Sequence, residues 1–372
     1  MGELRCGRCA TEPTGVAPWR CEACGSPLEL DLPPAAAATF ADPTATGVWR
    51  YREWLPPADT VTLGEPRTGI VELRGRPGTF AKLEGSLPTG SFKDRGVAVT
   101  VGWLVRRGVR ELIVDSSGNA GASFAAYAAR AGVRARVFVP ADASPAKLVQ
   151  VRAHGADIVT VPGPRSAAGD AARAALDEAG PSVAYASHLW QPAFLAGTAT
   201  FAYEVVEALG RAPDTVVAPL GGGTLLLGAW LGFRRLRDAD VIDRLPRLVG
   251  VQSAACAPLA AAFRAGADDA LPVEPESTVA EGIRIARPPR SREILAAIRA
   301  SGGSIVEVDD DAVRTSLRAL LAEGIFAEPT SAAAHAGLAL AGDVDGTTIV
   351  ALTGHGLKAA GVVSALLDPP GD

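Results

Sequence analysis

From about residue 61 onward the chain alternates short apolar runs with alanine-rich stretches of helical length, and this alternation limits the fold more than any other feature. Residues 112–115 lead into a helix near 120–131, 135–139 into 144–154, and 158–161 into 167–179. Residues 215–219, 248–251, 304–308 and 347–353 read as further strands with helices between them. Parallel neighbours need a long crossover, which a helix supplies, so the pattern predicts an α/β protein built on parallel sheets. No internal repeat interrupts it. A chain of 372 residues with 48% apolar residues is long enough for two sizeable cores.

Charge narrows the function classes. The net charge of −5 provides no broad attraction for nucleic acid or anionic lipid, so neither partner is expected and a soluble metabolic role fits better. No run reaches the ~18 uninterrupted apolar residues of a membrane span, and the start Met-Gly-Glu-Leu-Arg-Cys has no signal-peptide apolar region. A cytoplasmic location is expected.

Four of the five cysteines, Cys6, Cys9, Cys21 and Cys24, form two C-x2-C knuckles separated by eleven residues. Each knuckle can place two thiolates on one metal, and two knuckles complete a closed tetrahedral zinc site with no open position, hence a structural one. Disulfides are the alternative, which a reducing compartment disfavours. The module, residues 1–30, has only Arg5, Arg8 and Arg20 as bases, too few for a nucleic-acid surface. Cys256 reads as a small buried residue. Residues 31–45 are rich in proline and alanine and read as a linker, and the aromatic stretch 47–55 as a segment that docks on the main body. Together, residues 31–60 form the expected linker and docking region.

Lys93 lies in Gly90-Ser91-Phe92-Lys93-Asp94-Arg95-Gly96, where Ser91 and Asp94 have the spacing of a capping box that opens a helix. In a first helical turn the helix dipole opposes a cation and favours the neutral amine, which can form a Schiff base. The other reading is a solvated first-turn lysine. Composition favours chemistry: the lysines are Lys82, Lys93, Lys147 and Lys358, and arginine carries the rest of the positive charge.

Three strand-loop-helix junctions could complete a site. At the first, Asp115-Ser116-Ser117-Gly118-Asn119, small residues let amides and hydroxyls converge on an anion such as a carboxylate, unless the loop is an ordinary capped turn. At the second, Gly221-Gly222-Gly223-Thr224 precedes a helix as a phosphate cradle. It lacks both the G-x-G-x-x-G spacing and the P-loop lysine, which argues against dinucleotides and nucleoside triphosphates. The third places Thr353 at the carboxyl end of a strand, where ligands of open α/β sheets bind. His355, between two glycines, is equally a turn residue with a structural hydrogen bond.

A Schiff-base lysine, a phosphate cradle, a carboxylate loop and a strand-end hydroxyl together suggest pyridoxal 5′-phosphate (PLP). The chain resembles the fold-type II, tryptophan synthase β-like, PLP enzymes, and within them most closely the threonine synthases. The resemblance runs in order over residues 45–365 through Pro88-Thr89-Gly90-Ser91-Phe92-Lys93-Asp94-Arg95-Gly96, Ser117-Gly118-Asn119, Glu328-Pro329-Thr330-Ser331-Ala332-Ala333 and Leu352-Thr353-Gly354-His355-Gly356-Leu357-Lys358. Part of that family also has an amino-terminal zinc ribbon. The resemblance implies two lobes: a large cofactor-binding one of residues 61–95 and 200–372, and a small mobile one of 96–199. It implies that Lys93 holds the cofactor and shuttles protons, that Asn119 bonds the ring oxygen, and that residues 221–224 bind the phosphate. Thr353 would face the pyridine nitrogen, and Ser116 and Ser117 would hold the substrate carboxylate. The implied reaction converts O-phosphohomoserine and water to threonine and phosphate, in a homodimer.

The match weakens where substrate choice should be decided, and the Gly-Gly-Gly-Thr loop and Glu281-Gly282-Ile283-Arg284-Ile285 also depart from the family. Where its members place asparagine, serine and arginine for the substrate phosphate, this chain has Ser187-His188-Leu189-Trp190-Gln191-Pro192-Ala193-Phe194-Leu195-Ala196-Gly197, with Phe194 at the arginine's position and no Lys or Arg between Arg173 and Arg211. The alternative is therefore a β-replacing synthase or dehydratase acting on a serine-, threonine- or O-phosphoserine-type substrate. A zinc-ribbon binding protein on an inactive scaffold is the reading from outside enzymology.

Overall fold

In the computed structural model, which describes residues 4–163, 165–342 and 346–367, the chain begins with a small hairpin of β1 (Leu4–Cys6) and β2 (Leu28–Leu30). It continues with β3 (Ile70–Glu72), β4 (Thr79–Leu83), α1 (Lys93–Arg106), β5 (Glu111–Val114), α2 (Asn119–Ala131), β6 (Arg134–Pro140) and α3 (Pro145–Ala153). β7 (Asp157–Val161), α4 (Arg165–Asp177), β8 (Val183–Tyr185), α5 (Pro192–Leu209), β9 (Thr215–Pro219), α6 (Thr224–Asp238) and β10 (Arg247–Ser253) follow. The last third holds α7 (Pro258–Arg264), α8 (Ser291–Ala300), β11 (Ser304–Val308), α9 (Asp310–Ala322), α10 (Pro329–Gly337), β12 (Thr348–Leu352) and α11 (Ala360–Leu367). The chain forms two compact units. Unit 1 holds Met1–Pro66 and Lys93–Thr200, and unit 2 holds Arg67–Phe92 and Phe201–Asp372.

Unit 2 is built on a six-stranded sheet of order β11-β10-β9-β12-β4-β3. All its pairs are parallel except β3 with β4 at the edge. Strands β9 and β12 are buried along their whole length, as expected of strands covered on both faces. Val217, Val249, Val251, Leu317, Leu320 and Val350 form the core. Helix α10 lies against it through small residues, and a Cβ added at Gly337 would stand 2.4 Å from Val251.

Unit 1 has a four-stranded parallel sheet, β7-β6-β5-β8. Helix α1 is buried from Asp94 through Leu104 and packs on α2. The aromatic stretch at Gly47–Trp54 forms 3-10 turns whose Trp49, Tyr51 and Trp54 are buried. It docks on α1, where a Cβ at Gly102 would lie 2.1 Å from the Asp59 carbonyl oxygen.

The α/β reading with parallel sheets holds, and strands expected at 215–219 and 304–308 have those bounds. The strand β8 and the helix α5 have no counterpart in the expected elements. Pro192 to Val206 is buried almost without interruption, so α5 lacks the polar face that gives a helix its period in sequence. No helix among the described residues is long and apolar enough to cross a membrane.

Candidate active site

In unit 2 the strands β4, β12 and β9 are parallel neighbours, so their carboxyl ends open on the same sheet edge. The loop after β9 is closed from outside. A Cβ at Gly221 would lie 2.8 Å from the Ile283 Cα, and one at Gly223 2.3 Å from Ile294 Cδ1. Gly223 is also left-handed, with φ 70°, and caps α6 without a side-chain acceptor. Thr224, which is buried, opens the helix. Gly223 thus sets no side chain over the start of α6, and the glycines let an anion approach its first amides. This fits a phosphate.

Thr353 follows β12 and is 3% exposed. Its hydroxyl lies 3.3 Å from Ser331 Oγ and donates to Glu328 Oε1 at 3.4 Å. Ser331 Oγ accepts from the Gly354 amide at 2.9 Å, and the Glu328 amide donates to the Gly354 carbonyl at 3.0 Å. Neither Ser331 nor Glu328 was assigned a role from sequence, since their bonds to Thr353 span more than twenty residues; their motif, Glu328-Pro329 opening a helix, was the available signal. The Phe92 amide donates to the Thr353 carbonyl at 2.9 Å, and Ser91 bridges Gly354. The residue that precedes Lys93 is therefore tied to the end of β12.

This pairing displaces the expected capping box. Ser91 Oγ is buried without a hydrogen-bond partner among the described residues, and Asp94 instead accepts from Ser123 Oγ at 2.6 Å. His355 is a turn residue, its Nδ1 accepting from the Leu357 amide at 3.2 Å.

In unit 1, Lys93 is the first residue of α1 and is half-buried. Asn119 is the first residue of α2, with Gly118 as its cap and Ser116 buried just before it. A Cβ at Gly121 would lie 1.9 Å from the Ser116 carbonyl oxygen, so the loop folds back on its own helix only with glycine there. The Ser123–Asp94 bond joins the second turn of α2 to the first turn of α1 and so places the two helix starts side by side. The β8 strand pairs with β5, which brings residues 186–191 to the same sheet edge as residues 115–119. Phe194 is fully buried, its ring where a Cβ on Gly96 would come within 2.5 Å, and it stands edge-on to His188 with centroids 5.9 Å apart.

The Sγ atoms of Cys6, Cys9, Cys21 and Cys24 all lie within 4.8 Å of one another. Cys6 to Cys24 and Cys9 to Cys21 are 3.5 Å apart. That is far beyond the ~2.05 Å of a disulfide and near the ~3.8 Å that tetrahedral bonds of ~2.3 Å to one zinc ion would give. Cys256 is a separate buried thiol, raised by burial above its usual range.

A family model described as pyridoxal-phosphate dependent enzyme matches residues 61–354, and the chain belongs to that family. It is a PLP-dependent lyase of fold type II, with a threonine synthase-like character. Threonine synthase of Methanocaldococcus jannaschii is 33% identical over 95% of this chain and 92% of its own length. That of Synechocystis sp. is 36% identical over 88% and 90%. Among solved structures, a T.th. threonine deaminase superposes with a TM-score of 0.67 at 28% identity, covering 78% of this chain and 92% of that one.

Proposed function

We propose that the chain acts on the side chain of an amino acid by elimination and replacement, converting O-phosphohomoserine and water to threonine and phosphate. The observation that carries this lies within unit 2: the Phe92 amide bonds to the Thr353 carbonyl, so the residue that precedes Lys93 is held at the carboxyl end of β12, the strand beside the one that feeds the triple-glycine loop. The cofactor, when bound, supplies an electron sink for the charge left on the substrate. The amides of residues 221–224 hold its phosphate, and Lys93 anchors it and then removes and returns protons. Asn119 holds the ring oxygen. The Thr353 hydroxyl would face the ring nitrogen and, being neutral, would not force its protonation. Ser116, Ser117 and the first amides of α2 hold the substrate carboxylate.

The test is spectroscopic and kinetic. The loaded protein is expected to show a band near ~410 nm that borohydride removes and Lys93→Ala lacks, and to release phosphate from O-phosphohomoserine. A protein without the band is not this enzyme.

A second reading is favoured by Phe194. Its ring is wholly enclosed against Gly96, and residues 187–197 contribute no cation, so the segment offers no bidentate phosphate contact. A β-replacing synthase or dehydratase of serine, threonine or O-phosphoserine follows from that. Product formation from these three without phosphate release from O-phosphohomoserine would select it.

The cysteine cluster, in the same proposal, holds one structural Zn2+ in a zinc ribbon, because four thiols with no further ligand position leave nothing open for chemistry. Metal analysis should return one zinc per chain, and Cys21→Ser should lower it. The homodimer and the cytoplasm complete the proposal. Sedimentation at two concentrations tests the first, and cell fractionation the second.

A further inference from the structure

Trp19 stands two residues before Cys21, and its ring points out of the cysteine module. It meets Tyr185 edge-on, with centroids 4.8 Å apart and planes at 70°, and Trp190 at 5.0 Å and 87°. The Arg20 guanidinium lies 4.6 Å from the same indole. The backbone of Trp19 enters the second knuckle directly: Arg20 bridges Pro27, and the Cys21 amide donates to the Ser26 carbonyl at 2.8 Å. The two residues that receive the indole lie on one segment at the carboxyl edge of the unit 1 sheet, the end of β8 and the loop that follows it. Tyr185 ends β8 and donates its hydroxyl to Asp115 Oδ2 at 2.7 Å, immediately before Ser116. Burial, with the Asp115 carboxylate beside it, holds that hydroxyl well above its usual range, so it remains a donor. Trp190 lies within residues 187–197, and the neighbouring Gln191 Nε2 donates to the Tyr185 carbonyl at 2.7 Å.

From this arrangement we infer that Trp19 is a positioning residue for the amino acid substrate, and that metal loading of Cys6, Cys9, Cys21 and Cys24 sets substrate affinity by holding the indole against Tyr185 and Trp190. The inference rests on the proposed role of Ser116 and Ser117 as the carboxylate site. Strands β1 and β2 have three residues each, too little to hold the module's shape without a cross-link. Releasing the metal therefore releases the indole. Tyr185 then loses the packing that aims its hydroxyl at Asp115, and the loop that follows loses its fixed position. Neither Trp19 nor Tyr185 is placed at the cofactor.

The experiment uses the full-length PLP-loaded enzyme and titrates whichever of O-phosphohomoserine or L-serine the wild type binds, read by the change in the visible cofactor band and by steady-state kinetics. Trp19→Ala, Tyr185→Phe and chelator-treated wild type are each expected to raise Kd and KM by about three- to tenfold, the size of one or two lost aromatic or hydrogen-bond contacts. The expected kcat stays within about twofold. Trp19→Phe should restore most of the affinity, and Trp19→Ala should retain its zinc and an unchanged cofactor band. Ser117→Ala serves as the reference. If it weakens binding while Trp19→Ala and chelation do not, the coupling is wrong and the carboxylate site stands. If Ser117→Ala leaves Kd unchanged, the carboxylate reading fails and the coupling with it. Should Trp19→Ala not fold, Tyr185→Phe, which keeps the ring in place, decides the matter: wild-type affinity there overturns the inference.

Discussion

The loop before α6 and the loop before α2 occupy equivalent places, each at the carboxyl end of a parallel strand and each opening a helix, yet they are held in shape differently. Before α6, Gly221 and Gly223 are pressed by Ile283 and Ile294, so the backbone itself forms the wall and no side chain can enter. Before α2, Gly118 has open space around it, and the polar groups are the side chains of Ser116, Ser117 and Asn119. The first is suited to a ligand group that never changes, such as a phosphate. The second can be adjusted through its neighbours, as befits a part proposed to meet substrate. The contrast continues below each loop. Unit 2 encloses Lys82 with Glu204 at 2.8 Å and Glu84 at 3.8 Å, all buried, while in unit 1 a hydroxyl and a carboxylate, Ser123 and Asp94, join the helices.

Four substitutions probe that contrast. The largest effect is expected from Lys82→Met. It leaves the Glu84 and Glu204 carboxylates buried together without their cation, a loss on the order of 3–5 kcal/mol, visible as a fall in Tm and in the urea midpoint. Wild-type stability would show that unit 2 does not depend on this cluster. Next comes Gly221→Ala, whose Cβ meets backbone rather than a flexible side chain. An overpacking cost of about 1–3 kcal/mol should raise the Kd for PLP by roughly ten- to a hundredfold, measured by equilibrium dialysis with the ~410 nm band as a second readout. Ser123→Ala removes the bond to buried Asp94 and should lower stability by about 1–2 kcal/mol, with a smaller effect on PLP affinity than Gly221→Ala. The smallest change is expected from Gly118→Ala, which has room for the methyl group and no positive φ; stability and PLP affinity should stay within about 0.5 kcal/mol of wild type. Equal losses of PLP from Gly118→Ala and Gly221→Ala would erase the distinction between the loops.

Most of the site's parts were legible because their signals are local. The triple glycine, the serine-rich loop and the paired C-x2-C knuckles each occupy a few consecutive residues, and the chemistry proposed for them follows from composition and spacing. Local reasoning failed at Ser91. A serine three residues before an aspartate reads as a cap, but the backbone of Ser91 pairs with Gly354 and the Phe92 amide bonds to Thr353. A long-range strand-like pairing outcompeted the helix cap for the same segment. Likewise, Phe194 read as a missing arginine, while in the fold it is also the ring that fills the space left open by Gly96.

By itself the sequence determined the alternation that makes parallel sheets, the helix that begins at Lys93, the triple-glycine loop before α6 and the gathering of the four thiols, because hydrophobic period, turn chemistry and ligand spacing act over short stretches of chain. Tertiary structure alone decided that Ser331 and Glu328 attend Thr353, that Lys82 is enclosed by two carboxylates, and that Trp19 reaches Tyr185 and Trp190. Each of those contacts joins residues far apart in the chain, and it exists only because each sheet gathers its own strand ends and flanking loops, a relation that no window of sequence contains.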